Sequence, residues 1–421
     1  MHPKLLRLLL TTCLSYAFVA KAQNEDTLRL TLPVLEEQFV RNNLQLLTQR
    51  YNVDKANAAE ITARMFANPN FSFTNGLYSK NRDTNALSQQ TYGITQLIQT
   101  AGKRNKNIQL AKIGTENAWH EFYDLIRTLK YSLRSSFYAL YFKQQSINLY
   151  NEEIRSLTKT LAVFQQIYQK GNTSEKEILR IQSLLYSLKS EQAELELEAN
   201  ALLIELKALG QLQGDIYIQA QIPEFAFSKA TPQSNTYLQL LDSAYVNRHD
   251  LKIARANVTY ANTNLKLQNA MKYPDLNLSL NYDKKTGYGP GYVAGGVAFE
   301  LPLFKRNQGN IRLARVQIEQ SKAQLNLEQN KLQNELSGSY KDFLKLDALY
   351  RSIDSTFKQN FTRILRGANE NFEKRNISML EFLDLYASYK SHVLQMNNLM
   401  LQRIIAIEKL NFVTGAQIFN P

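Results

Sequence analysis

The 421-residue chain has one cysteine, Cys13, and it lies in a stretch that reads as removable. Lys4 and Arg7 give a positive start, Leu8 to Ala20 is mostly apolar, and Ala20-Lys21-Ala22 is a small-x-small cleavage site. Residues 1–22 are therefore expected to be a secretory signal peptide, with Gln23 first in the mature chain. Leu10-Thr11-Thr12-Cys13 is a poor lipoprotein box, because threonine precedes the cysteine. Cleavage after Ala22 leaves no thiol, which excludes disulfides and thiolate metal sites. Long apolar runs are also missing. No mature segment has 18 uninterrupted apolar residues, so no transmembrane helix is expected, and any membrane-spanning part must be a closed barrel. The mature histidines, His120, His249 and His392, lie far apart without ligand spacing, so no metal site is expected. No Ser/His/Asp set or glycine fingerprint points to an enzyme or a cofactor. Gly102-Lys103-Arg104-Asn105-Lys106 lacks the Ser or Thr and the leading spacing of a phosphate loop.

Acid is scarce relative to base. The net charge is +13, and losing Lys4, Arg7 and Lys21 with the leader leaves +10. A basic exported chain suits lipid phosphates or acidic partners. Nucleic acid is not an expected partner outside the cytoplasm. Most of the basic residues sit among Glu and Gln in helical patterns, and a solvated face accounts for them equally well.

Against these absences stands one organising stretch, Pro274 to Leu303. Leu276, Leu278, Leu280 and Tyr282 alternate with Asn277, Ser279, Asn281 and Asp283. Strand side chains alternate between faces, so one face is greasy and the other wet. A Gly- and Pro-rich turn follows, and Val293, Gly295, Val297, Phe299 and Leu301 return. A weaker copy comes earlier: Phe71, Phe73 and Tyr78, a polar run from Ser79 to Gln90, then Tyr92, Ile94, Gln96 and Ile98. Strands are expected at about 69–80, 89–99, 274–285 and 291–302.

The rest reads as helix. Thr31-Leu32-Pro33 starts one that runs to about Phe66 and stops at Pro69. No proline occurs between Pro69 and Pro223, and Trp119, Ile126, Leu133, Leu140, Ile147, Ile154, Leu161 and Tyr168 recur every seven residues. Phe122, Leu129, Tyr150, Leu157 and Phe164 partly fill the companion positions. That is a coiled-coil seam, and a helix from about 105 to 169 is on the order of 100 Å long. Lys170 to Ser174 breaks it, with Gly171 suited to end one helix and Thr173 or Ser174 to cap the next, which ends at Gly210. Residues 211–235 read as a linker with a short strand at Ile216-Tyr217-Ile218. The pattern then repeats. A helix runs from about Thr236 to Met271, followed by the hairpin and a second long helix. Ile311, Ile318, Leu325 and Leu332 step by four to Leu336, Phe343, Tyr350, Phe357 and Ile364, a stutter in the supercoil. A break at Lys374 to Ser378 and a closing helix to Val413 complete the copy. The offset is about 204 residues, so residues 23–210 and 236–421 are a duplicated helix–β-hairpin–long helix–helix unit.

Four amphipathic strands cannot close a barrel, since the smallest single-chain membrane barrels need about eight. Copies must pool their strands, although sequence does not fix how many. The leader, the duplicated unit, and the junctions Gly102-Lys103-Arg104 and Lys305-Arg306-Asn307 after the second strands resemble the TolC-like outer-membrane efflux proteins. The resemblance covers nearly all of the mature chain. It implies a mainly α fold with a membrane β-barrel portion, in which a homotrimer shares a twelve-stranded β-barrel in outer-membrane lipid and an α-barrel in the periplasm. It implies a passive exit duct for a tripartite pump or type I secretion system, with a periplasmic adaptor (membrane fusion protein) and an inner-membrane transporter as partners. No cofactor is implied. Leu276, Leu278, Leu280 and Tyr282 would face lipid.

Glu381 and Asp384 match the two acids that ring the family's periplasmic aperture; a solvated acidic face near a helix start is the plainer alternative. The family's nearby arginine falls at Ile377 here, beside Arg375. Gly171, Asn172, Thr173, Ser174 and Arg375, Asn376, Ile377, Ser378 would be the hairpin tips that meet the adaptor, or simply turn caps. The Lys103 and Lys305 junctions would lie where barrel meets helices, near lipid phosphates, or else only solubilise helix starts. The competing reading is an exported coiled-coil tether or an adaptor itself, which predicts one helical hairpin and no amphipathic strand pairs.

Overall fold

The computed structural model describes residues 26–76, 90–222, 236–286, 289–353, 363–364, 367–368, 371–372 and 376–419. The expected leader, Tyr78 and most of its following polar run, Phe357 and Arg375 lie outside them. The elements in chain order are β1 (Asp26–Thr31), α1 (Leu32–Asn42), α2 (Leu44–Arg64), β2 (Asn70–Asn75), β3 (Gln90–Ile98), α3 (Lys103–Gln169) and α4 (Glu175–Gly210). There follow β4 (Ile216–Gln221), α5 (Tyr237–Asn247), α6 (His249–Ala270), β5 (Leu276–Thr286), β6 (Gly289–Ala298), α7 (Gln308–Ser352) and α8 (Met379–Thr414). They fall into two compact units. One comprises Met1–Asn43, Ser132–Lys229 and Ala348–Ile405; the other comprises Leu44–Tyr131, Ala230–Asp347 and Ala406–Pro421.

The second unit holds an antiparallel sheet in the order β2-β3-β5-β6. The two hairpins thus join directly, through β3 and β5. Cross-strand rows keep the faces apart. Phe73, Tyr92, Tyr282 and Val293 form one row, and Phe71, Ile94, Leu280 and Gly295 form the next on that face. Ser72, Gly93, Asn281 and Ala294 form a row on the opposite face, as do Asn70, Thr95, Ser279 and Gly296. A slip of one residue would exchange the faces. The strand expected at 291–302 ends at Ala298, because its ladder with β5 ends at the Asn277–Ala298 pair. Phe299 and Leu301 lie beyond it, exposed.

The single helices expected over 31–66 and 236–271 are each two helices, broken at Asn43 and Arg248. Neither break has a proline or glycine. Both residues are buried, with extended backbone (ψ 118° and 121°). The Asn43 side-chain amide donates to the Leu209 carbonyl at the end of α4 (2.9 Å). Arg248 donates through Nη1 to Glu335 on α7 (2.8 Å) and through Nε to Asp250 (2.9 Å). Buried polar groups need such partners, and each break holds its polar residue where the partner is. Thr236 opens α5 with a reciprocal capping box with Gln239. Thr31 precedes α1 but its hydroxyl makes no capping bond.

In the second unit the core gathers Leu240, Leu251, Leu332, Leu336, Phe343, Ile407, Leu410 and Val413. Leu332 and Leu336 are both fully buried. The four-residue step therefore hands the buried stripe from one heptad series to the next without a gap. In the first unit β1 pairs in parallel with β4, a strand at Asp26–Thr31 that periodicity alone did not signal. Gln144 of α3 secures β4, donating to the Ile218 carbonyl (2.7 Å) and accepting from the Ala220 amide (3.0 Å). The core here collects Tyr150, Leu157, Phe164, Ile181, Leu185, Leu188, Phe382 and Tyr386. On the second half of α3 the companion series Tyr150, Leu157 and Phe164 is the buried one, while Ile147, Ile154 and Leu161 are half-buried and Tyr168 is exposed.

Candidate functional site

Three features are candidates for function: the exposed face of the sheet, the helical tips, and the titratable groups held between helices. In the wall, Leu278, Leu280, Tyr282, Phe71, Phe73, Val293 and Val297 all expose their side chains. Leu276 is half-exposed. The polar face is crowded by comparison. A Cβ at Gly93 would lie 2.5 Å from Ser72 Oγ and 2.7 Å from Asn281 Oδ1, and one at Gly296 would lie 2.8 Å from Ser279 Oγ. The polar face is thus closely packed at these glycines, while large apolar groups stand exposed on the other face.

At the junction below β3, Gly102 takes φ +66°, a left-handed turn that favours glycine. Lys103 is buried there, donating Nζ to Asp275 (2.7 Å) and to the Tyr273 carbonyl (2.6 Å). Lys103 therefore neither reaches for lipid nor solubilises a helix start; it ties the base of α3 to the start of β5. Arg306 is exposed and donates Nε to the Pro302 carbonyl (3.1 Å).

The tips share one backbone feature among the described residues. α3 ends with Gly171 at φ +74°, its amide bonded to the Tyr168 carbonyl (2.8 Å), and the Asn172 amide bonded to the Ile167 carbonyl (3.1 Å). These are the two bonds of a Schellman termination. At the second tip the Asn376 amide reaches the Asn371 carbonyl by the same five-residue step (2.8 Å). Thr173 and Ser174 do not cap α4 through their side chains; the Thr173 hydroxyl bonds the Glu177 carboxylate instead. Ser378 does cap α8, accepting the Glu381 amide at Oγ (3.2 Å). Replacing Ser378 with alanine is expected to cost about 1 kcal/mol at this end. Amide exchange over residues 379–382 should then speed up about fivefold, which mass spectrometry would resolve.

Glu381 and Asp384 are exposed on one face of the first turns of α8. Phe382, between them in sequence, is buried and stacks on Phe372 (4.3 Å between centroids). Phe372 in turn stacks on Phe164 of α3 (5.2 Å). The aromatic column fixes the turn that presents the two acids.

Further along the same unit, Glu153 of α3 is 3% exposed, and among the described residues neither of its carboxylate oxygens has a hydrogen-bond partner. Burial pushes its pKa up to about 8, with Lys390 opposing and Glu191 and Glu152 reinforcing. The Tyr386 hydroxyl likewise has no partner among the described residues, and burial beside Glu153 raises its pKa. Lys390 is committed to Glu191 (2.7 Å), which also accepts from Tyr150 (2.7 Å).

In the other unit, His120 of α3 and His249 of α6 meet across 129 residues of chain, Nδ1 to Nδ1 at 3.1 Å. Burial lowers the pKa of both, that of His249 to about 4, with Lys252 pushing the same way. Sequence spacing gave no sign of this pair. The second unit also holds a charged cleft of about 450 Å³, lined by Arg127, Arg248, Asp250, Lys331 and Glu335 among others. Its ion pairs are internal: Arg127 with Asp124 (2.6 Å), Arg248 with Glu335 (2.8 Å).

Comparison with known proteins agrees with this architecture. The cobalt-zinc-cadmium resistance protein CzcC of Cupriavidus metallidurans is 22% identical over 359 residues, covering 84% of this chain and 82% of that one. Among solved structures, CusC superposes with a TM-score of 0.73 at 16% identity over 94% of this chain and 96% of its own. The CmeC outer membrane channel of Campylobacter jejuni gives 0.70 at 15% over 92% and 86%. The open-state MtrE outer membrane channel of Neisseria gonorrhoeae gives 0.70 at 16% over 92% and 89%. These likenesses establish the fold, and the duplication and paired amphipathic strands disfavour the single-hairpin adaptor. A sequence model of the outer membrane efflux protein family matches residues 35–214 and 240–416, both copies of the repeat, and the chain belongs to that family.

Proposed function

We propose that this protein is the outer-membrane exit duct of a tripartite efflux pump or type I secretion system, a passive homotrimeric channel that extends into the periplasm and is gated at its periplasmic end. The four-stranded sheet is the main support. Its apolar face is exposed, and among the described residues neither β2 nor β6 has a partner on its outer side. Lipid supplies no hydrogen bonds to such edges, so an open sheet does not span a bilayer. Among the described residues no helix is long and apolar enough to do so either. Three copies give about twelve strands, within the size range of outer-membrane barrels. Gly171 to Ser174 and Arg375 to Ser378 would contact the helical hairpins of a periplasmic adaptor, and an inner-membrane transporter would supply the energy. The duct itself performs no chemistry.

Glu381 and Asp384 form the proposed aperture. In a trimer they supply six carboxylates at one constriction, which attract cations and repel one another. Planar-bilayer recordings of the purified protein test both statements. Wild type should conduct with a cation preference, and Glu381→Gln with Asp384→Asn should raise the resting conductance severalfold and reduce that preference. A non-conducting, water-soluble monomer would overturn the duct. Unchanged selectivity in a conducting double variant would overturn the aperture alone.

A further inference from the structure

We propose that His120 and His249 form a binding site for one divalent transition-metal ion, which staples α3 to the start of α6. The site is independent of the reading of the chain as a duct. Metal–imidazole bonds are about 2.0–2.1 Å long. Two Nδ1 atoms 3.1 Å apart therefore subtend an angle of about 100° at a shared ion, between the octahedral and tetrahedral values. The fold already brings the two donor atoms to the spacing of two ligands on one ion.

The surroundings have the features of a metal site's outer shell. The Glu116 carboxylate lies 3.6 Å from Nε2 of His120, the nitrogen that carries a proton when Nδ1 binds metal. A carboxylate behind a ligating imidazole orients the ring and raises its basicity. The ring of Tyr123 lies against that of His249 (5.1 Å, 31°) and restricts its rotation. Among the described residues no group of three or more His, Cys, Asp or Glu side chains assembles, so water completes the coordination; both rings are only half-buried. Lys252 nearby disfavours ions held by charge alone. Two imidazoles beside a lysine therefore select copper(II), nickel(II) or zinc(II) over magnesium or calcium.

The test uses untagged, full-length mature protein in detergent, stripped with a chelator and titrated calorimetrically with copper(II), nickel(II) and zinc(II) chlorides. Expected is one ion per chain, with affinity at least tenfold weaker in His120→Asn and in His249→Asn and unchanged in His392→Asn. Copper(II) electron paramagnetic resonance should show two imidazole nitrogens in wild type, a signature that a merely structural pair does not produce. Absence of binding in the wild-type protein, full-strength binding in either single variant that keeps its helical circular dichroism, or a copper spectrum without imidazole would each overturn the site.

Discussion

Leu280→Arg is expected to remove the protein from the outer membrane. Leu280 stands in the row Phe71, Ile94, Leu280, Gly295, on the apolar face, and is 54% exposed. Contact with lipid accounts for that exposure, since a row of large apolar groups facing water is an aggregation hazard. An arginine on the lipid face near the bilayer midplane costs about 2–4 kcal/mol. A trimer carries three of them, for a total of roughly 6–12 kcal/mol, which is comparable to the whole stability of an ordinary domain. The internal control is Asn277→Lys, on the same strand but the opposite face, where the charge meets the polar side; it should insert normally. Membrane fractionation and heat-modifiable mobility on gels separate the outcomes. Leu280→Arg protein that accumulates as outer-membrane trimer at wild-type levels would show that this face does not meet lipid.

That experiment rests on the part of the fold most legible in the sequence. Alternation from Leu276 to Asp283 is a local property, and it set both the strand and its faces. The seven-residue spacing on α3 was equally local, but it identified a stripe rather than its deepest row. The second half of α3 belongs to a core that also takes side chains from α4 and α8. Its apolar surface is broad, and packing rather than spacing chose Tyr150, Leu157 and Phe164. What was illegible is non-local. The breaks at Asn43 and Arg248 answer to partners 166 and 87 residues away, with no proline or glycine to mark them. β1 exists because β4 lies alongside it. His120 and His249 meet only because α6 starts beside α3. Glu153 stands between Glu152 and Arg155 in sequence, and such neighbours give no local sign of its burial.

Glu153 is the source of the second large effect, a loss of stability as pH rises. Burial holds this carboxyl's pKa up at about 8 in the folded protein, whereas an unfolded chain releases the proton near the ordinary glutamate value of 4.5. Between those values the folded state binds more protons, so stability falls with rising pH and levels off above the upper value. A shift of this size corresponds to on the order of 5 kcal/mol per chain. Glu153→Gln keeps the shape, cannot ionise, and should flatten that component. The measurement is the difference in melting temperature between variant and wild type in detergent. It should be near zero at pH 5 and grow to several degrees in the variant's favour by pH 9. Taking the difference cancels the titrations of groups remote from Glu153, which are the same in both proteins. A difference that stays constant with pH would mean that Glu153 is ionised throughout, with a partner in the assembled protein. The effect also reaches the proposed gate. Tyr386, beside Glu153, belongs to the core that includes Phe164 and Phe382, and Phe382 stands in the turn carrying Glu381 and Asp384. Ionising Glu153 places a buried charge against α8, the helix that carries the proposed aperture acids. Wild-type conductance in bilayers should accordingly rise between pH 6 and 9, in the window set by this one carboxyl, and the Glu153→Gln channel should remain at its resting level across the same range.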